Sequence, residues 1–131
     1  MQAAGYDGHI DAVEVWKPYI DEFDLVSRYN IVHLTDIRGW KDEQFAEYDV
    51  VIFGDVLEHM TKTEALRVWD AASTATHAAI AIPVVTYVQG PLHDNPYEEH
   101  VKDEWTHEEV VSTFTGITDS QAFTITGAYW R

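Results

Sequence analysis

The chain has 131 residues, 46% of them hydrophobic and 24% charged, and no cysteine, which suits one globular domain and excludes disulfides and thiolate metal sites. Eight Lys+Arg face 23 Asp+Glu for a formal net charge of -15, and the basic residues are scattered, so nucleic acid is not expected as a direct partner. No apolar run approaches the roughly 18 residues of a membrane span, and Met1 to Asp7 lack the basic and apolar regions of a signal peptide; the expectation is a soluble, intracellular, cytoplasmic protein with no membrane partner.

In chain order, His9 to Val15 reads as a strand. Pro18 to Tyr29 reads as a helix, with Pro18 suited to the first turn and Tyr19, Ile20, Phe23 and Val26 at helical spacing. Ile31 to Ile37 is a second strand, and Asp42 to Tyr48 a short helix or turn. Val50 to Val56 is the clearest strand, apolar on both faces like a central parallel strand covered by helices. Thr61-Lys62-Thr63-Glu64 has capping-box spacing and opens a helix towards Ser73. His77 to Val84 is the next strand. Thr86 to Thr106 carries Gly90, Pro91, Asp94, Asn95 and Pro96 and reads as a long loop. Thr106 or His107 opens a helix to Phe114, and Ile117 to Trp130 suits a terminal antiparallel strand pair. Strands alternating with helices imply a parallel sheet with right-handed crossovers. No repeat, low-complexity tract or linker interrupts residues 1–131, so they read as a single domain.

The segment Tyr48 to Met60, YDVVIFGDVLEHM, resembles the fourth strand and following turn of class I S-adenosylmethionine-dependent methyltransferases. The resemblance continues through AIAIPVV and NPYEEHVKDEW and matches the C-terminal two-thirds of that family. It implies an α/β, Rossmann-like, mostly parallel sheet with flanking helices and a C-terminal antiparallel strand pair. The sheet is expected to be incomplete, a truncated form of the family fold. Eight residues precede the first expected strand, whereas the family's first strand, turn and helix need on the order of 30. The glycines at 5, 8, 39, 54, 90, 116 and 127 form no Gly-x-Gly turn after a strand. Direct pairing of the strands carrying Glu14 and Asp55 would fill that gap. Covering by a second copy or another chain, or a longer parent protein, would also fill it.

The resemblance implies S-adenosylmethionine as cofactor. Glu14 takes the position of the acid that accepts from both ribose hydroxyls, a task that two carboxylate oxygens suit. Val15 and Trp16 fall where the family packs the adenine. Asp36 and Ile37 fall at the position that contacts the adenine amino group, and Asp36 equally suits a turn or cap. Gly54 would let the cofactor approach the backbone, and Asp55 would face the methyl-transfer region. His59 would act as general base or, instead, pack at a helix start and orient the loop. Asn95, Glu98, His100 and Trp105 anchor the long loop, where the family often binds the acceptor. His93, Asp94, Glu98, His100 and His107 are close in sequence, but their spacing fits no compact metal motif, so no metal site is expected.

Two functions follow from the resemblance. One is a methyltransferase-like domain derived from S-adenosylmethionine-dependent methyl transfer, unable to bind the cofactor normally alone and active on a small molecule or protein only when completed by a partner. The other is a non-catalytic binding or assembly module that keeps the fold, as a homo-oligomer or as a subunit of a larger complex. The acid excess also suits salt adaptation, because like charges repel in dilute buffer and are screened in salt. The folded fraction, followed by circular dichroism, should therefore rise from dilute buffer to molar salt; equal folding in both would remove that case.

Overall fold

The computed structural model describes residues 7–102 and 104–131. Met1 to Tyr6 of the segment read as lacking signal-peptide features, and Asp103 of the resembling segment, lie outside the described residues. Contacts divide the chain into two compact units, residues 1–39 and 40–131.

The first unit runs β1 (Asp11–Glu14), α1 (Lys17–Glu22), α2 (Leu25–Arg28) and β2 (Ile31–Leu34). β1 and β2 are parallel, in register from Asp11↔Ile31 to Glu14↔Leu34. The Asp11 carboxylate accepts from Ile31 N–H at 3.0 Å, which helps fix that register. Pro18 sits in the first turn of α1, as expected. The single helix expected over Pro18 to Tyr29 is instead broken in two. Asp24 stands at φ 49, in the left-handed region, and caps α2. Its side chain accepts from Ser27 Oγ at 2.6 Å; Asp tolerates this conformation because its short polar group bonds locally. No described residue of 7–39 is fully buried. A two-stranded sheet without a core is marginal in water, so this unit lacks the burial that would let it stand by itself.

The second unit runs α3 (Asp42–Phe45), β3 (Val50–Gly54), α4 (Lys62–Ala71), β4 (His77–Pro83), α5 (His107–Thr113), β5 (Asp119–Ala122) and β6 (Thr126–Trp130). Its sheet has the order β3-β4-β6-β5. β3 is parallel to β4, and β6 is antiparallel to both β4 and β5. The antiparallel pair expected at the end of the chain is therefore formed. Thr61 caps α4 as its sequence implied: its N–H donates to Glu64 Oε2 at 2.9 Å, and Glu64 N–H donates to Thr61 Oγ1 at 3.3 Å. α4 buries Ala65, Val68 and Trp69. β4 alternates, with Ala78, Ile80 and Ile82 buried.

A chain of aromatic contacts runs through this core. Ring centroids are 5.3 Å apart for Trp40–Phe45, 6.3 Å for Phe45–Phe53, 6.4 Å for Phe53–Trp69, 5.9 Å for Trp69–Phe114 and 5.1 Å for Phe114–Trp105. Each such pair adds about 0.5–1.5 kcal/mol beyond its buried area. The Trp69 indole N–H donates to Thr115 O at 2.8 Å, so its polar end is satisfied.

A second expectation needs correction. β3 was expected to be covered on both faces, yet Val50 is 52% and Ile52 56% exposed. Only the Phe53 side of the strand reaches the aromatic core. No described helix is long and apolar enough to cross a membrane.

Gly127 has a packing reason to be glycine. A Cβ there would overlap the ring of Tyr129, which is fully buried two residues along β6. Gly127→Ala should lower stability by about 1–3 kcal/mol through overpacking, read as the shift in a urea unfolding midpoint.

Candidate functional site

Strand ends place the expected cofactor residues of the first unit. Glu14 closes β1, and its Oε1 accepts from Trp16 N–H at 2.6 Å, which turns the carboxylate back over the strand end. Val15 and Trp16 are half-buried, and Trp16 caps α1. Asp36 follows β2. Its two oxygens accept from Arg38 Nε at 3.0 and 2.9 Å, from Arg38 Nη2 at 2.6 Å and from Arg38 N–H at 2.8 Å. The turn role read for Asp36 is thus present. Ile37 opens the short 3-10 turn Ile37–Gly39.

In the second unit β3 delivers the next group. Gly54 ends the strand, and a Cβ added there meets nothing within 4 Å. Packing within the chain therefore does not require glycine at 54. Asp55 follows at φ 51, a left-handed conformation uncommon for a non-glycine residue and concentrated at functional sites. Its N–H donates to Ala81 O at 3.0 Å. The chain then tightens into a 3-10 turn, Leu57–His59.

The long loop packs onto this turn. Glu58 O accepts from Val101 N–H at 3.0 Å and Lys102 N–H at 3.1 Å, and His100 N–H donates to Gln89 O at 2.9 Å. A cavity of about 300 Å³ opens between the strand end and the loop. Three acids line it, Asp55, Glu58 and Glu98, with two imidazoles, His59 and His100, and with Pro83, Tyr87 and Gln89. The His59 and His100 rings meet edge to face with centroids 4.9 Å apart.

Of the four loop residues read as substrate-binding, Glu98 and His100 line the cavity. Asn95 is 2% exposed and caps the 3-10 turn Pro96–Glu98, its Oδ1 accepting from Tyr97 N–H at 2.9 Å. Trp105 is buried against Phe114, with Lys102 Nζ 4.4 Å from its ring centroid. These two tie the loop down. Sequence reading had not singled out Glu58. The signal was its place between Asp55 and His59, but only the fold brings His100 beside it.

Glu58 is the unusual group. It is 1% exposed, and neither carboxylate oxygen has a hydrogen-bond partner among the described residues. Burial raises its pKa from 4.5 to about 8. Its own backbone N–H opposes the shift without reaching bonding geometry, and the charges of Asp55 and Glu98 add to it. The two histidines are oriented by carbonyls. His59 Nδ1 lies 3.2 Å from Glu99 O, and His100 Nδ1 lies 2.7 Å from Tyr87 O. A carbonyl only accepts, so each neutral ring carries its proton on Nδ1 and keeps a lone pair on Nε2.

The sequence matches no family model and no curated protein. Solved structures do resemble the fold. The PH0226 protein from Pyrococcus horikoshii OT3 aligns with a TM-score of 0.66 at 12% identity, over 98% of this chain and 73% of its own. The N-terminal domain of EvdMO1 with SAH bound aligns at 0.63 and 10% identity, over 98% of this chain and 66% of its own. The methyltransferase domain of bacterial CtHen1-CN aligns at 0.59 and 16% identity, over 93% of this chain and 76% of its own. The fold is methyltransferase-like. The Rossmann-like reading of the strand and helix order, and of the antiparallel end, stands with it.

The raised Glu58 pKa sets a pH dependence. Between pH 4.5 and about 8 the unfolded chain has released a proton that folded Glu58 retains. The unfolded state binds fewer protons there, so stability falls as pH rises through that window and levels off above it. Glu58→Gln should flatten that segment of a plot of urea midpoint against pH in metal-free buffer; an unchanged slope would assign it to other groups.

Proposed function

We propose that this chain is a domain derived from S-adenosylmethionine-dependent methyl transfer, one that holds the cofactor normally only when another copy or another chain covers its open strand edges. The observation that carries the reading is the alignment of 98% of the chain with a domain that has SAH bound. The placing of acids supports it, because open α/β sheets bind ligands beyond strand carboxyl ends. Glu14 lies at such an end, and Asp36 and Asp55 each lie just past one.

On this reading residues 1–131 act as one domain. Glu14 accepts from the ribose hydroxyls, and Val15 and Trp16 give the adenine an apolar wall. Asp36, held by Arg38, sets the turn in which Ile37 meets the base. Gly54 admits the cofactor to the backbone, and Asp55 faces the reacting end. The cofactor supplies a methyl group already activated on sulfonium, so the protein's work is positioning. With no metal ion on its ring, His59, its Nδ1 proton held by Glu99 O, presents Nε2 to take a proton from acceptors that must lose one. Glu98 and His100 face the acceptor across the cavity. The acidic surface favours a small molecule or a protein over nucleic acid.

The second reading, a non-catalytic binding or assembly module, has its own support. The unit carrying Glu14 and Asp36 contains no buried residue among those described, and Arg38 already occupies both Asp36 oxygens.

Calorimetric titration of the chain with S-adenosylmethionine, at low and molar salt and at several chain concentrations, separates the two. Saturable binding that strengthens with chain concentration is expected. Glu14→Ala should weaken it by about 1.5–3 kcal/mol, the range for hydrogen bonds to a charged group. No binding by a folded chain under any of these conditions would favour the assembly module. A second variant isolates the backbone approach. Gly54→Ala should leave the urea midpoint unchanged, since the added Cβ meets nothing, yet weaken cofactor binding; equal binding would remove Gly54 from the site.

A further inference from the structure

A buried carboxyl with two orphaned oxygens calls for an explanation that methyl transfer does not provide. Proteins rarely leave a buried acceptor unpaired, because the desolvation cost is not recovered. Glu58 nevertheless sits at the wall of a polar cavity with neither oxygen bonded among the described residues.

We infer that Glu58, His59 and His100 form a binding site for one divalent transition-metal ion of the zinc type. One ligand atom from each of the three side chains lies within 4.8 Å of the other two. Metal–ligand bonds of about 2.0–2.2 Å place neighbouring ligand atoms roughly 3–3.5 Å apart, so the ion draws these groups in by an ångström or so. The donor set of two imidazoles and one carboxylate suits zinc and its neighbours. Magnesium and calcium prefer oxygen throughout.

Four features fit a cation and not a neutral polar cluster. Each imidazole has its Nδ1 against a backbone carbonyl, Glu99 O for His59 and Tyr87 O for His100. That arrangement fixes the tautomer, leaves the Nε2 lone pair free to ligate and is the usual outer support of a metal-bound histidine. Asp55 and Glu98 add negative charge to the same cavity, and no lysine or arginine lines it. The ligands are also held before any ion arrives. His59 and Glu58 belong to the turn after β3, and the backbone bonds of Glu58 to Val101 and Lys102 bring His100 against it. Finally, three protein ligands leave at least one coordination position open towards the cavity, the pattern of metal sites that bind a further oxygen or nitrogen donor. Proximity in the sequence groups His100 with His93, Asp94, Glu98 and His107, a spacing that predicts no metal site; the fold places Glu58 and His59 beside it instead.

The inference does not depend on methyl transfer, and its test does not involve the cofactor. The whole chain, stripped with chelator and dialysed, is titrated calorimetrically with zinc and, separately, with cobalt(II) and magnesium. Expected are one zinc per chain, a rise in unfolding temperature with zinc, cobalt absorption of a low-symmetry site, and at least tenfold weaker binding of magnesium. Glu58→Gln keeps shape without charge, and His59→Gln removes one ligand at a half-buried position; each should weaken zinc at least tenfold. His93→Ala, at an exposed residue outside the cavity, should leave it unchanged. No zinc bound, or binding indifferent to Glu58→Gln and His59→Gln, would overturn the site. Equal loss in His93→Ala would reassign it to adventitious surface histidines.

Discussion

The carbonyl of Glu58 organises the second unit's site. It takes two backbone N–H groups, from Val101 and Lys102, and so pins the long loop onto the turn that follows β3. Closing such a loop costs conformational entropy that grows only slowly with length, so a few anchors suffice. Others extend the same attachment. Asn95 caps a turn within the loop, and His100 N–H bonds Gln89 O. Lys102 lies over Trp105 and shares Glu109 with Lys62, connecting the loop to α5 and to the start of α4. The clamp has an electrostatic consequence for the same residue. With its backbone holding the loop down, the Glu58 side chain is walled off from water, and its carboxyl resists ionisation.

Charge is distributed to match. In a chain with eight Lys+Arg, several cations serve structure away from the cavity. Burial works against ionisation of Glu109, but hydrogen bonds from Lys62 and Lys102 outweigh it and hold that carboxyl below its ordinary range. Arg38 grips Asp36. Arg131 stacks over Trp69, 3.9 Å from its ring centroid, and donates to Trp69 O. The cavity lining keeps acids and imidazoles without a compensating cation. A low-dielectric wall beside such a lining focuses the field and draws positive charge inward. That field favours a sulfonium as well as a metal ion, and both would come to the carboxyl side of β3.

What the sequence made legible was local chemistry. The capping box of α4, the proline of α1, the alternation of β4 and the terminal strand pair are read from neighbours in the chain, and each is formed. The break at Asp24 was missed because apolar spacing through Val26 continues the helical pattern, while a left-handed residue stabilised by Ser27 interrupts it. The openness of β3 was missed because an apolar run reports what a strand could bury, and the fold covers mainly its Phe53 side. The site followed the same rule. GDVLEH marked the right turn, but proximity in sequence grouped His100 with His93 and Asp94, whereas the clamp across the loop sets it beside Glu58 and His59.

The two units differ in a way that bears on function. Glu14 and Asp36 stand on a pair of strands with no buried residue described around them, so their geometry depends on whatever covers that unit. Glu58, His59 and His100 stand on a turn and loop tied into a core of Phe53, Trp69, Trp105 and Phe114. Preorganised groups lose little entropy when a ligand arrives, and loosely held ones lose more. The cofactor binding proposed for the first unit would therefore be the property most sensitive to association state and salt. The polar cavity of the second unit is supported instead by backbone hydrogen bonds and buried rings within that unit. If both proposals hold, the two properties should separate under dilution, because one rests on a strand pair with no buried residue described and the other on a packed core.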